Sequence, residues 1–445
     1  MNGHVADTAH SRKPADSGPA IRQAAAAANL PWFEPRRPQA RLPPLAGACL
    51  LFAVPFHSCP AAGCLHGPTE RRRRPMKYTL LLTQACNLRC EYCYIPKRDC
   101  TMSRSVAGKA VDFAFANTPQ EERIAIGFFG GEPLLEFELL EAVTDLIENN
   151  PGYEQARVEL SLVTNGTIFS DEIAEFLRAR NIGFGISCDG PPFVQDLHRR
   201  FPDGSPTSAV VQDTIRRALQ AFSYPTVNAV YDPRTLPHLP ETVDYFTSLG
   251  LRHIYLSPDL SAPWTAQDAA RLPDLYRQVA DRYVSHYLQR DPRFISLIDS
   301  KITVILRGGY QPLERCRMGT GEFAFAPDGW VYPCERLIAS GRNGHCIGNI
   351  EEGLQTDLRR CHLAPGGELN PECRSCGLSG YCMNWCGCSN FFSTGYYNRV
   401  GPFMCASEKA AIHAAFDVLQ RLGESCGSAF ADHVAGFPAI NSTGA

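Results

Sequence analysis

The sequence predicts an α/β protein: a partial (β/α)6 TIM-like barrel followed by a small cysteine-rich α/β domain with a β-hairpin. Three observations lead there. From Met76 to about Pro258, short apolar strands alternate with amphipathic helices, the sign of a parallel sheet. Six such units suggest an open barrel rather than a closed eight-fold one. From Cys316 onward the cysteines recur at short intervals around a hairpin-type turn.

Residues 1–75 differ from everything after them. They are rich in Ala, Pro and Arg, show no sustained period and end in Arg71-Arg72-Arg73-Arg74-Pro75. This composition reads as a disordered extension, with Met76 as the expected true start. The apolar stretch Leu45–Phe56 lies far from the N-terminus and contains Pro55, which argues against an export signal. Cys49, Cys59 and Cys64 are then not ligands.

The barrel is expected over 76–310. Its strands are Tyr78–Leu82, Ile124–Phe129, Glu159–Thr164, Gly183–Ser187, Thr226–Val230 and His253–Leu256. Between them run helices such as Ser103–Ala116, Leu135–Glu148, Asp171–Arg180 and Ser208–Phe222. The third has Ser170 placed as N-cap, with Ile173, Phe176 and Leu177 at core spacing. The cysteine-rich domain follows over 311–407. Its hairpin, Glu322–Ala326 and Trp330–Tyr332, is turned by Pro327-Asp328-Gly329, which brings Cys316 and Cys334 near each other. A closing helix, Glu408–Leu422, starts after Ser407 as N-cap and stops at Gly423, within a C-terminal segment 408–445.

A chain of 445 residues, 44% of them hydrophobic, is long enough for two or three cored domains. A formal net charge of −3 gives no reason to expect nucleic acid or an anionic membrane as partner. No run of eighteen apolar residues is present to span a bilayer. Disulfide scaffolds belong to short secreted chains, so nineteen cysteines here point to metal or cluster ligation in a cytoplasmic protein.

The first strand runs into Cys86-Asn-Leu-Arg-Cys90-Glu-Tyr-Cys93. Three thiolates on one tight loop can hold three irons of a [4Fe–4S] cluster and leave the fourth without a protein ligand. The alternative is zinc. Finger-type zinc sites usually pair two C-x2-C knuckles for four ligands, and Cys100 is an awkward reach for a fourth. The next three strands run into Gly130-Gly131-Glu132-Pro133, Asn165-Gly166-Thr167 and Ser187-Cys188-Asp189-Gly190-Pro191. Each alone is a turn signal. Together, on the C-terminal edge of adjacent parallel strands, they describe one cavity.

The cysteine loop, including Tyr92 before its third cysteine, and the loops after it resemble the radical S-adenosylmethionine (SAM) superfamily. The resemblance implies that Cys86, Cys90 and Cys93 hold a cluster whose open iron chelates SAM. An electron then splits SAM into methionine and a 5′-deoxyadenosyl radical. It also implies that Gly130, Gly131 and Glu132 hold the SAM amino group, with Asn165 on the same edge. Ser187 and Asp189 match a stretch whose serine contacts the ribose or carboxylate region. Where the family continues His-Asp-x-x-Arg, this chain has Gln195-Asp196-Leu197-His198-Arg199. Arg199 is the matching cation for the SAM carboxylate, with Arg200 as the other candidate.

The later cysteines, Cys316, Cys334, Cys373, Cys376, Cys382, Cys386 and Cys405, follow the order of the SPASM domain appended to many radical SAM enzymes. This resemblance implies two auxiliary [4Fe–4S] clusters. Cys373, Cys376, Cys382 and Cys405 would hold the outer one, and Cys316, Cys334 and Cys386 the inner one. The family's further cysteine just before Cys316 is missing, so Cys346, Cys361, Cys388 or an open iron completes the inner set. For Cys373-x2-Cys376 alone, a zinc ribbon is the alternative.

SPASM enzymes characteristically act on peptides or proteins. In the sulfatase-maturing group an Asp acting as base directly follows the hairpin cysteine; here that position is Glu335. Glu is competent as a base, and the other reading is a surface carboxylate paired with Arg336. The expected function is maturation of a ribosomally synthesised peptide by hydrogen abstraction, installing a thioether, carbon–carbon or carbon–oxygen crosslink. The alternatives are an anaerobic sulfatase maturase forming formylglycine and a non-catalytic zinc-bound scaffold. Expected partners are the precursor peptide or protein, a separate leader-recognition protein, and a reductant such as flavodoxin or ferredoxin. Trp264, Trp330 and Trp385 are either peptide-channel linings or plain core.

Overall fold

The computed structural model describes residues 75–311, 314–338, 344–355, 370–426 and 430. The expected extension up to Arg74, Cys361 and the end of the C-terminal tail lie outside them. The α/β class and the six parallel strands are borne out: β1 (Met76–Thr83), β2 (Ile124–Gly130), β3 (Val158–Thr164), β4 (Ile182–Ser187), β5 (Thr226–Tyr231) and β6 (His253–Pro258) lie side by side in chain order. The helices of the barrel are α1 (Arg104–Asn117), α2 (Phe137–Glu148), α3 (Asp171–Ala179), α4 (Pro192–His198), α5 (Ser208–Ala221) and α6 (Leu239–Ser248). After β6 come α7 (Ala266–Leu288), the two-residue β7 (Phe294–Ile295) and α8 (Ser296–Leu306). Ser170 caps α3 by accepting from the Ile173 amide at 3.1 Å, as its sequence predicts.

The hairpin strands β8 (Glu322–Phe325) and β9 (Trp330–Tyr332) do not form a sheet of their own. β8 pairs parallel with β1, setting Glu322 opposite Lys77, so the sheet continues from the barrel through β9 to β10 (Gly348–Asn349) and β11 (Gly353–Leu354). Two tyrosine–phenylalanine stacks, Tyr78 on Phe323 and on Phe325, seal this junction. The cysteine-rich region is thus built onto the free edge of β1, beside the strand that feeds the first cysteine loop. It adds α9 (Pro371–Arg374) and α10 (Gly387–Thr394).

The strand period of two decides what the sheet encloses. Tyr78, Leu80, Ile126, Leu162, Ile186 and Ile254 are buried in the main core. Thr79, Gly127, Ser161 and Val163, one position out of phase, line a cavity. Small side chains on that face leave the space.

The closing helix, α11, runs from Pro402 to Cys426 and so overruns both predicted ends. Pro402 supplies the start, since a first-turn proline gives up no helical hydrogen bond. Ser407 is no cap. Its hydroxyl is buried and bonds Tyr276 of α7 at 2.8 Å, and Tyr276 in turn meets Tyr231 at 2.7 Å. Helix continues through Gly423, which costs about 1 kcal/mol relative to alanine, because Leu419 and Leu422 pack into the core on the same turns. The buried Glu408 takes Lys301 of α8 at 2.6 Å and the Met383 amide at 2.5 Å, tying α11 to both regions. Among the described residues no helix is long and apolar enough to cross a membrane.

Candidate active site

A cavity of about 220 Å³ runs along the β1–β6 face of the sheet. Cys86, Cys90 and Cys93 line it, with Gly130, Gly131, Asn165, Ser187 and Arg199. Residues from four separate strand-end loops therefore meet as the sequence predicts. No fourth cysteine and no histidine stands among the described lining residues, and Cys100, weighed as a zinc ligand, is not among them. Three thiols around one open space fit a [4Fe–4S] cluster with a free iron better than a tetrahedral zinc site. Burial pushes the Cys90 thiol up to about 11, the cost of holding a thiolate there without a metal.

The cysteine loop is stitched to its neighbours mainly by backbone. The Gly131 amide donates to Thr83 O at 2.7 Å and the Glu132 amide to Ala85 O at 2.9 Å. Gly131 lies so close that a Cβ there would sit 2.1 Å from Ala85 O. Gly131→Ala is therefore expected to push the two loops apart by about 1 Å and to lower SAM cleavage by about 100-fold, read as 5′-deoxyadenosine released per enzyme. Unchanged turnover would show that the loops are not held in register.

Glu132 and Asp189, both expected at SAM, turn inward and are not among the lining residues. The Glu132 carboxylate accepts from Thr164 Oγ1 at 2.7 Å, the Asn165 amide at 2.6 Å and the Leu134 amide at 3.1 Å. Burial pushes it up to about 7 against those three donors. These contacts tie it to the β3 loop, where Asn165 Nδ2 reaches Asn87 at 2.9 Å and the Cys86 sulfur at 3.8 Å. Asp189 accepts from the Val230 amide at 3.0 Å and from Tyr92 at 2.5 Å, and pairs with Arg199 at 3.0 Å. Arg199 also lies over the Tyr92 ring, 5.3 Å from its centroid. Gln195, standing where the family pattern has histidine, holds the Asp189 amide at 2.8 Å.

His198 was not singled out by its sequence, yet it is buried behind this group. It faces Asp232 at 3.4 Å and Arg234 at 3.0 Å, and Arg234 also holds Glu91 of the cysteine loop at 2.5 Å. The signal that could have found it is the polar turn Asp232-Pro233-Arg234 directly after β5, on the same sheet edge as the other loops.

Glu335 lines the cavity too, but it is not the surface partner of Arg336. It is buried, and Lys77 Nζ holds both its oxygens at 3.0 and 3.1 Å while reaching Glu322 at 3.3 Å. The ammonium keeps Glu335 ionised, well below the usual carboxylate range, while burial beside a second carboxylate pushes Glu322 up. Neither Lys77 nor Glu322 was visible as a site residue, because only the pairing of β1 with β8 brings them together. Arg336 also lines the cavity, and its guanidinium acts on the Cys388, Cys386 and Cys334 thiols behind it.

The SPASM-type cysteines form two groups. Cys373, Cys376, Cys382 and Cys405 surround a pocket of about 50 Å³. Cys316, Cys334 and Cys386 gather around Met318 and Leu337. The cysteines expected to share a site thus lie together in each group. None of the three tryptophans lines the cavity: Trp264 stacks on Phe403 at 3.7 Å against the main core, and the half-buried Trp385 meets Tyr310 edge-on. Tyr92, Tyr94, Phe128, Phe129, Tyr255 and Phe392 supply the aromatic lining instead.

Comparison with known proteins agrees with this arrangement. Residues 80–246 match the radical SAM superfamily. The chain is 28% identical over 286 residues to an uncharacterised protein of Methanocaldococcus jannaschii, covering 62% of this chain and 90% of that one. It is 25% identical to the radical SAM cyclopropyl synthase TigE of Paramaledivibacter caminithermalis, over 69% of this chain and 66% of the relative. To a cysteine-type anaerobic sulfatase-maturating enzyme of Clostridium perfringens it is 23% identical, over 68% and 86%. Among solved structures, native anSMEcpe with bound AdoMet and Cp18Cys peptide superposes with a TM-score of 0.67 at 21% identity, covering 79% of this chain and 99% of that one. Streptococcus suis SuiB bound to precursor peptide SuiA gives 0.53 at 16% identity, over 75% and 76%.

Proposed function

We propose, from the premise that this chain is a radical SAM enzyme, that it oxidises a side chain of a peptide or protein substrate and so installs a crosslink in a ribosomally made peptide. The observation that carries this reading is a single cavity lined by Cys86, Cys90 and Cys93 and by Glu335, which directly follows Cys334 of the inner cysteine group in the chain. SAM and a cluster held by Cys86, Cys90 and Cys93 would supply radical chemistry able to take a hydrogen atom from a C–H bond, and clusters on the second cysteine groups would supply an electron acceptor. The remaining work belongs to the protein. Gly130, Gly131, Asn165, Ser187 and Arg199 would hold SAM, and the aromatic lining would exclude water from the radical. Glu335, kept ionised by Lys77, would take the proton released when the substrate radical is oxidised. Removal of one hydrogen atom, one electron and one proton balances as loss of two hydrogens.

The relatives that carry named activities include TigE and the sulfatase-maturating enzymes. Glu335 in place of the sulfatase-type Asp favours the crosslink. Formylglycine formation is the second reading, supported by the buried carboxylate after Cys334 and by several sulfatase-maturating relatives. The test is anaerobically reconstituted enzyme with SAM, a low-potential reductant and the short peptides encoded beside its gene. The expected result is 5′-deoxyadenosine together with a peptide lighter by about two hydrogens and unreactive to an aldehyde probe. A probe-reactive product would decide for formylglycine. An unchanged mass with every such peptide would sink the crosslink reading.

A further inference from the structure

We propose that Lys97 sets the potential at which the cluster of Cys86, Cys90 and Cys93 takes up its electron, by holding an ammonium against the Cys93 sulfur. This rests on the reading above that these three thiolates hold a cluster. Lys97 lines the same cavity as the three cysteines, and its Nζ donates to Cys93 Sγ at 3.0 Å. Two other cations of the cavity are taken by carboxylates: Lys77 holds Glu335 and Glu322, and Arg199 pairs with Asp189. Among the described residues Lys97 makes no ion pair with a carboxylate, and the Cys93 sulfur is its hydrogen-bond partner. A half-buried ammonium without a carboxylate is expected to face some other anion, since its removal from water is otherwise costly. The thiolate side of the cluster is that anion. A thiolate that binds one iron keeps lone pairs for such a donor, so the contact and ligation are compatible.

Local structure delivers the ammonium to this sulfur. The Cys93 amide is tied back to Cys90 O at 3.2 Å. Between Cys93 and Lys97, Ile95 is buried with Leu81, Ala324 and Tyr332. Pro96, with its fixed φ, precedes Lys97 directly. Beyond Lys97 the chain returns along the end of β1. The Arg98 amide donates to Gln84 O at 3.4 Å, the Gln84 amide to Cys100 O at 2.9 Å and the Met102 amide to Leu82 O at 2.7 Å. The three sulfurs are not treated alike. Cys86 accepts from the Leu88 amide at 3.4 Å and from Asn165 Nδ2 at 3.8 Å, both neutral donors. Cys90 feels the charge of Arg199, which Asp189 already offsets. Among the described residues, Cys93 alone of the three receives a hydrogen bond from a cation without a carboxylate. Reduction adds one electron, supplied by an external low-potential reductant, to a group that already carries thiolate charge. A nearby ammonium stabilises the reduced form more than the oxidised one, and a hydrogen bond to a ligand sulfur acts in the same direction. Lys97 thus makes the electron easier to deliver.

The test reads the potential itself, on the full-length chain reconstituted anaerobically, with neither SAM nor substrate present. The signal of this cluster is the reduced-state EPR signal that Cys90→Ala lacks. In a titration with a low-potential reductant, Lys97→Met should lower the ratio of reduced to oxidised cluster about tenfold at a fixed potential, a shift of about 59 mV to more negative values. Lys97→Arg, which keeps the charge and the N–H donors, should stay closer to the parent than to Lys97→Met. The remaining cluster signals should titrate as in the parent, which shows that the shift is local and the chain folded. A parent potential in Lys97→Met overturns the assignment, and so does an equal shift in every signal. A parent potential combined with weaker SAM binding overturns it in favour of the SAM carboxylate as the ammonium's partner. If Lys97→Met assembles no cluster, Lys97→Gln, which keeps an N–H donor without the charge, decides. A potential below the parent's then supports the assignment, and a parent potential or a missing cluster overturns it. If Cys90→Ala retains every signal, the cluster reading itself fails, and this assignment with it.

Discussion

Cys90→Ala is expected to abolish 5′-deoxyadenosine formation while leaving the iron of the second cysteine constellation in place. Cys90 lies between Cys86 and Cys93 on one short loop, and all three sulfurs face the same cavity. A cluster held by three protein thiolates cannot lose one and still present a single open iron in the right place. Iron should fall from about twelve to about eight per chain, and SAM should remain uncleaved under reductant. The fold should survive, since the loop is anchored through the Thr83, Ala85 and Arg89 backbone rather than through the Cys90 side chain. Continued SAM cleavage in this variant would remove the premise of the proposed chemistry.

Glu335→Gln is expected to uncouple SAM cleavage from product. Hydrogen abstraction does not need the carboxylate, so 5′-deoxyadenosine should form at close to the parent rate. Modified peptide should fall by about 100- to 10,000-fold, the range that a general base contributes. Glutamine keeps the shape and an acceptor oxygen for Lys77, which retains Glu322 as its charged partner at 3.3 Å. Gross unfolding is therefore not the expected outcome. Liquid chromatography–mass spectrometry of both products from one reaction reads the ratio. Equal losses of the two would mean that Glu335 supports the architecture of the cavity and does not move a proton.

The parts of the site that lie within one loop were legible before any coordinates. Cys86, Cys90 and Cys93 must converge because a tight loop leaves their sulfurs nowhere else to go. The loops at Gly130, Asn165 and Ser187 could be placed together because parallel strands in chain order put their C-terminal ends on one edge. Burial and hydrogen-bond direction were not legible. Glu132 reads as a cofactor ligand by its motif, and nothing in that motif tells that two backbone amides and the Thr164 hydroxyl also bond its carboxylate. Ser407 reads as a helix cap, but an upstream proline starts the helix and the hydroxyl serves Tyr276.

Sequence alone determined the strand order, the edge on which the chemistry sits and the thiols of the first loop. These depend on period and spacing, which chain geometry converts directly into position. Tertiary structure decided that Lys77 meets Glu322, 245 residues away, that Glu335 is held from beneath by that lysine, and that Cys388 rather than Cys346 packs among the inner thiols. Such contacts follow from the register of β8 on β1 and from which faces are buried there. Register is a property of whole packed surfaces, and no short stretch of residues carries it.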